Sequence, residues 1–217
     1  MKSILVIGMG LFGCQLAERM QELGNDVMIV DRNSELVNRL AHKFTDSQIG
    51  DCCNETVLRS LGVNNFDICF VTIGEDFQAS LEISSMLKEL GAKHVVSKAS
   101  SDRQAKLLLK IGADDVIYPE KELAEKMAVR YNANNVFDYI QLTSDYSIYE
   151  IPCPEKWQGR TVTEVDVRRK YGVNIIAAKR GNSLTTPDAN YTFTRDEHLV
   201  VIGRASEVFK LGGGRGA

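Results

Sequence analysis

Three glycines in the segment "LVIGMGLFGCQLAERM", residues 5 to 20, constrain the fold more than any other feature of the chain. Gly8, Gly10 and Gly13 stand between an apolar run that reads as a strand and an amphipathic run that reads as a helix. In such a turn Gly8 permits the tight exit from the strand, Gly10 lets a pyrophosphate approach the backbone, and Gly13 lets the helix pack on the sheet. The helix that follows offers unpaired N–H groups and a partial positive charge to a phosphate. Asp31 closes the second apolar run 23 residues after Gly8, where an acidic residue accepts ribose hydroxyls. The glycines alone would be a weak signal; the strand before, the helix after and Asp31 beyond supply the context they need. Asp31 favours an unphosphorylated ribose, whereas Arg32 beside it could tolerate a 2′-phosphate. The adenosine half of the ligand is therefore better defined than the rest.

The same grammar repeats up to about residue 133. Short apolar runs at 3–7, 26–30, 45–49, 68–73, 94–97 and 116–118 have the length and Val/Ile content of strands buried on both faces. Helical spacing fills 11–23, 34–44, 56–61, 77–90 and 103–111, and Gly24, Gly62, Gly91 and Gly112 follow as stop residues. This alternation predicts an α/β fold, a Rossmann-like doubly wound parallel sheet. A sixth helix is expected over 121–131, and the Asn-rich 132–135 reads as a linker. Beyond it, strand patterns at 136–142, 147–151, 173–180, 183–185 and 198–203 outnumber short helices at 163–170 and 206–211. That predicts a small α+β domain with mostly antiparallel pairing. The expected domains are 1–133 and 134–211, followed by a glycine-rich disordered tail, 212–217, of natural or appended origin.

Composition narrows the function classes. A net charge of −3 and a pI near 5.7 give no electrostatic reason to expect nucleic acid as a partner. No run approaches 18 apolar residues, and the chain starts directly on a strand, so neither a membrane span nor a signal peptide is expected. Five cysteines, an odd number with no CxxC pair, fit a reduced cytoplasmic compartment rather than a disulfide framework or zinc site.

A dehydrogenase would need an acid or base near neutrality beside its cofactor. The three histidines, His42, His94 and His198, sit in surface or strand-end patterns, and no nucleophile or metalloprotease motif is present. No catalysis is expected. An NAD(P)-dependent oxidoreductase is the alternative, and a redox or metal sensor at Cys52–Cys53 a more remote one.

Two further segments lie at carboxyl ends of expected strands, where ligands bind in such sheets: Gly50-Asp51 and Thr72-Ile73-Gly74. Asp51 suits an adenine amino group or, equally by spacing, the cap of the next helix.

At these residues the chain resembles a known family. The segments "ILVIGMGLFGCQLAERMQELGNDVMIVDRN", "GDCCNETVLRSLGV", "VTIGEDFQASLEISSMLKELGAKHVVSKA" and "KIGADDVIYPEKELAEKMA" resemble an RCK (regulator of potassium conductance) nucleotide-binding domain. "IYEIPCPEKWQGRTVTEVDVRRKYGVNIIAAKRGN" resembles the RCK carboxyl-terminal domain that follows it. Together they are similar to the cytosolic gating subunit of Ktr- and Trk-type potassium uptake systems.

The resemblance implies a dimer, assembled into an octameric ring under a membrane-embedded potassium-translocating subunit, at the inner face of the cell membrane. In Ktr-type members ATP favours conduction and ADP closure; Trk-type members respond to NAD(H), and AMP is a further possibility. The implied ligand residues are Gly8, Gly10 and Gly13 with Leu11 and Phe12 for phosphates, and Asp31, Arg32 and Asn33 around the ribose. Asp51, Cys52, Ile73 and Gly74 fall on the adenine pocket, and Lys98 on a phosphate contact. Glu120 matches a carboxylate that binds a divalent cation, Mg or Ca, between the outer phosphates of a dimer. One departure stands out: many Ktr-type members carry arginine where this chain has Leu11, so the extra charge of ATP loses a bidentate partner here. Finally, "VRRKYGVNII" with Pro187 implies a cyclic di-AMP pocket in which Arg168 meets a phosphate, Asn174 and Ile175 the adenine edge, and Pro187 a base. The bland alternative is a helix-to-strand connection with a solvated basic face.

Overall fold

In the first part of the chain a helix separates each strand from the next and returns the chain to a parallel neighbour. The computed structural model describes residues 1–132 and 136–211. Strands β1 (Ser3–Ile7), β2 (Asp26–Asp31), β3 (Asp46–Ile49), β4 (Ile68–Val71), β5 (Val95–Lys98) and β6 (Asp115–Ile117) are separated by five helices. These are α1 (Leu11–Glu22), α2 (Ser34–Leu40), α3 (Glu55–Leu61), α4 (Phe77–Glu89) and α5 (Asp102–Ile111). All pairings are parallel, in the order β3-β2-β1-β4-β5-β6. The order reverses between β1 and β4, and the crevice at that switch point is where such sheets take ligands.

Alternation along the strands builds a core on each face. Leu5, Ile7, Cys69, Val71 and Val95 pack with Leu58, Ile83 and Leu87 on one side. Ile4, Val6, Val27, Ile29, Phe70 and Val96 pack with Ala17, Leu40 and Phe44 on the other. The helix expected over 34–44 ends at Leu40; Ala41–Lys43 tightens into a 3₁₀ turn and Phe44 becomes extended. Seating the Phe44 ring in the core accounts for that early stop.

The chain divides into two compact units, Met1–Glu120 and Lys121–Ala217, and the division falls within the first turn of α6 (Pro119–Asn132). Within the second unit Lys126 of α6 pairs with Asp138 at 3.1 Å, which ties the helix to the sheet that follows. The tail at 212–217 and residues 133–135 of the expected linker lie outside the described residues.

The second unit contains β7 (Asp138–Gln141), β8 (Tyr146–Pro152), α7 (Val162–Val165), α8 (Val167–Tyr171), β9 (Asn174–Arg180), β10 (Ser183–Thr185), β11 (His198–Arg204) and α9 (Ala205–Leu211). Its sheet is antiparallel throughout, in the order β10-β9-β11-β8-β7. Tyr149, Ile151, Leu199 and Val201 alternate inward and meet Trp157, Phe193 and Val208 in one core. The single helix expected over 163–170 is two, because Asp166 adopts a left-handed conformation, φ +52°, between α7 and α8. Glu197, buried in this unit, is fully satisfied: it accepts from Tyr191 Oη at 2.6 Å, Thr194 N at 2.9 Å and Thr194 Oγ1 at 3.0 Å.

Candidate functional site

The ends of β1, β2, β4 and β5 enclose a cleft of about 480 Å³ at the switch point. Asn33, Asn54, Asp76 and Ser101 cap α2, α3, α4 and α5 by accepting a first-turn N–H. Helix α1 has only Gly10 at that place, with no capping side chain and no acidic residue in its first turn. Its N-terminus therefore faces the cleft with orphan donors and the positive end of the helix dipole.

The two outer glycines of the turn answer different demands. A Cβ on Gly13 would run into the Gly8 carbonyl oxygen and Thr72 Oγ1, so only glycine lets α1 lie this close to the strands. Thr72 Oγ1 itself donates to the carbonyls of Ile7 (3.0 Å) and Gly8, pinning the turn to β4. A Cβ on Gly10 would meet nothing within 4 Å; it would project into open space at the helix terminus, the space a phosphate approaching these N–H groups would need.

Asp31 closes β2 with its carboxylate accepting from Met9 N at 2.6 Å and Asn33 N at 2.8 Å. It thereby joins the glycine turn to the second strand while lining the cleft beside Arg32. Asp51 also lines the cleft, and its Oδ1 accepts from Cys53 N at 3.0 Å in a local turn; the cap of α3 is Asn54. Lys98, at the end of β5, donates to Glu120 Oε1 at 2.6 Å and lies 5.8 Å from the Phe12 ring centre. That ammonium and the backbone N–H of Glu120 hold the Glu120 carboxyl below its usual range.

Gly8, Gly10, Leu11, Phe12, Asp31, Arg32, Asp51, Cys52, Ile73, Gly74 and Lys98 all line this one cleft. Three expected ligand residues do not. Gly13 is buried under the turn, Asn33 spends its Oδ1 on capping α2 through Leu36 N, and Glu120 is held by Lys98. Glu75 and Asp76 line the cleft as well, unexpected from sequence, and so does Cys53, which was expected only as part of a sensor pair; as a helix cap, Asp76 was visible from sequence, ahead of the 77–90 pattern.

None of the three histidines lines the cleft: His94 pairs with Asp115 at 3.0 Å, and His198 with Glu150 at 2.8 Å. Burial pushes the Cys52 thiol up to about 12, and burial with the Asp51 carboxylate also raises Cys53. Both thiols are thus held protonated, the unreactive form. Among the described residues no three His, Cys, Asp or Glu side chains gather as a metal site, and no helix is long and apolar enough to cross a membrane.

In the second unit a smaller cleft of about 340 Å³ is lined by Arg168, Asn174, Ile175 and Pro187, together with Thr163 and Asp166. Residues from a helix, a strand and a loop, spread over some 20 positions of sequence, are brought to one surface.

A doubly wound sheet with a glycine turn at its switch point, followed by a small antiparallel α+β unit, defines a two-part chain built on a nucleotide-binding architecture. Residues 4–119 match the TrkA-N domain model and residues 147–211 the TrkA-C domain model. The chain belongs to the RCK family of Ktr- and Trk-type potassium uptake proteins. It is 38% identical over 211 residues to Ktr system potassium uptake protein C of Bacillus subtilis, covering 97% of this chain and 96% of that one. It is 35% identical over 208 residues to Ktr system potassium uptake protein A of the same organism, covering 95% and 94%. Among solved structures, the GsuK RCK domain superposes with a TM-score of 0.69 at 19% identity, over 99% of this chain and 48% of that one. The GsuK channel bound to NAD gives 0.67 at 19% identity, over 100% and 40%, and GsuK bound to ADP gives 0.52 at 14%, over 63% and 35%. This chain thus spans less than half the length of those channel chains, and the likeness to them is one of fold.

Proposed function

We propose that this chain is a cytoplasmic regulatory subunit of a potassium transporter or channel, which reads an adenine nucleotide and carries out no catalysis. The observation that carries the reading is the α1 terminus: a side-chain-free cap at Gly10, open space above it, and Asp31 tied to the same turn. Kinship with two Bacillus potassium uptake proteins over nearly their whole length supports the transport context. GsuK structures with NAD and with ADP support an adenine nucleotide as the ligand class.

In this reading the phosphates sit on the α1 N-terminus by Phe12 and Lys98, the ribose on Asp31, and the adenine between Asp51 and Ile73-Gly74. ATP and ADP come first, with NAD(H) and AMP as alternatives. Leu11 is 87% exposed at the first position of α1 and offers no charge to an outer phosphate. Discrimination between ATP and ADP then falls to Lys98 and to a divalent cation on Glu120. From this chain Glu120 would be a single ligand, the others coming from phosphates and a partner copy. Residues 134–211 form the family's carboxyl-terminal domain, where Arg168, Asn174, Ile175 and Pro187 would take cyclic di-AMP as an inhibitor. The subunit acts as a dimer within an octameric ring, at the inner face of the membrane beneath a potassium-translocating partner. A nucleotide moves such a ring only by binding one of its shapes better than the other.

A thermal-shift panel of ATP, ADP, AMP, NAD+, NADH and cyclic di-AMP tests this directly. A ligand that binds only the folded state stabilises it by RT ln(1 + [L]/Kd), about 2.7 kcal/mol at a hundredfold excess over Kd. At least one mononucleotide or dinucleotide should raise the melting temperature of the wild type and leave Asp31→Ala unmoved. Equal shifts in both proteins would remove the ligand from this cleft.

A further inference from the structure

Lys98 is placed between two claims on its charge. It lines the nucleotide cleft, and its side chain is only 12% exposed, whereas that of its partner Glu120 is 59% exposed. Nζ lies 5.8 Å from the ring of Phe12, the second residue of α1, and a Cβ added to Gly74 would stand 3.4 Å from it. The ammonium is thus confined between the helix terminus on one side and the β4 loop on the other. Its present counter-ion is the Glu120 carboxylate at 2.6 Å.

We infer that Glu120 is a built-in competitor for the ligand's phosphate, so that a phosphate arriving at α1 must take Lys98 away from it. An ammonium has three donors, but two anions held at one cation repel each other, and a phosphate at the α1 terminus has the helix dipole in its favour. Glu120, a carboxylate at neutral pH with or without the pairing, is therefore an anion when the phosphate arrives. The exchange sets a threshold that depends on phosphate: an adenine ligand without one leaves the Lys98–Glu120 pair intact. It also releases the first turn of α6, in which Glu120 is the second residue, and α6 is the helix that continues into the second unit. This inference rests on the adenine-nucleotide reading of the cleft and adds to it a selectivity device that uses a residue outside the cleft lining.

Isothermal titration of adenosine, AMP and ADP in the presence of a chelator separates the two ideas, since no cation can then bridge Glu120 to a phosphate. Glu120→Gln is expected to bind AMP and ADP about three- to fivefold more tightly than the wild type, the factor a partly exposed ion pair is worth, with adenosine unchanged. Lys98→Gln should weaken AMP and ADP, and Glu120→Gln should bring no gain in that background. If the wild type binds ADP and Glu120→Gln binds it no more tightly, the competition is overturned while the nucleotide site stands. An equal gain for adenosine would overturn it too, as the effect would not pass through phosphate. If ADP binds neither protein, the reading of the cleft fails and this inference fails with it.

Discussion

At the scale of single residues, Gly13 and Gly10 belong to one motif but should fail in opposite ways. Gly13 is enclosed: any Cβ collides with the Gly8 carbonyl and the Thr72 hydroxyl that fasten α1 to the sheet. Gly13→Ala is expected to cost about 2–3 kcal/mol of stability, the upper part of the range for overpacking a rigid core contact. Gly10 has φ −65° and ψ −177°, a backbone any residue adopts, and its Cβ direction is open. Gly10→Val should cost less than about 1 kcal/mol, the difference between glycine and a β-branched residue at a helix cap, yet abolish nucleotide binding. Urea denaturation and calorimetry on the two variants check this; a Gly10→Val protein that folds and binds normally would contradict it. The spacing of the glycines was legible in sequence, but their division of labour was not. It depends on Thr72, 59 residues beyond Gly13 and brought beside it only by the β1–β4 pairing.

At the scale of elements, the first unit was largely legible because burial on both faces of the central strands forces short apolar runs and because glycines stop several of its helices, whereas the edge strands β3 and β6 are partly exposed. The second unit was less legible where local chemistry overrode periodicity. Residues 163–170 have helical spacing, yet Thr161 and Glu164 form a reciprocal capping box that starts α7, and Asp166 ends it in a left-handed turn. The Thr-x-x-Glu signature was in the sequence; nothing there marked Asp166, which lacks the glycine usual at such a turn. Its side chain caps nothing, and its ion pair with Arg169 is long, 3.9 Å, and exposed. Asp166→Gly is therefore expected to raise stability by up to about 1 kcal/mol, the relieved left-handed strain partly offset by a freer unfolded chain. Asp166→Val should lower it by more than about 1 kcal/mol, since a β-branched residue tolerates that conformation worst. Denaturant midpoints that move the other way for the pair would contradict the assignment of strain to this residue. The Lys98–Glu120 pair marks the same limit for the site. Partners 22 residues apart, on a strand end and a helix start, share no periodicity that would announce them.

At the scale of the whole molecule, acidic residues outnumber basic ones, 29 to 26, and several do structural work in both units. In the first, burial opposes ionisation of Asp114, but the Val95 N–H and the Lys88 ammonium outweigh it and hold the carboxyl below its ordinary value. Those bonds, 2.7 Å from Val95 N and 3.0–3.1 Å from Lys88 Nζ, tie the turn before β6 to β5 and α4. In the second, burial likewise opposes ionisation of Glu150, and His198 and Lys179 outweigh it across three adjacent strands. A carboxyl whose folded pKa lies below its unfolded one stabilises the fold above the unfolded value, near pH 4, and ceases to as pH falls through the folded value. Stability should accordingly stay nearly level from about pH 8 to pH 5 and decline from about pH 4 downward, by roughly 1 kcal/mol or less for each such half-exposed pair. Urea denaturation at stepped pH measures the slope directly. Asp114→Asn and Glu150→Gln should each lower stability at neutral pH and flatten the acid limb, because each removes one proton-linked difference between the folded and unfolded chains. A wild-type stability that held level to pH 3 would mean these pairs contribute nothing to the folded state, and the same pH series on Glu120→Gln shows whether the partner of Lys98 acts on stability or only on the ligand.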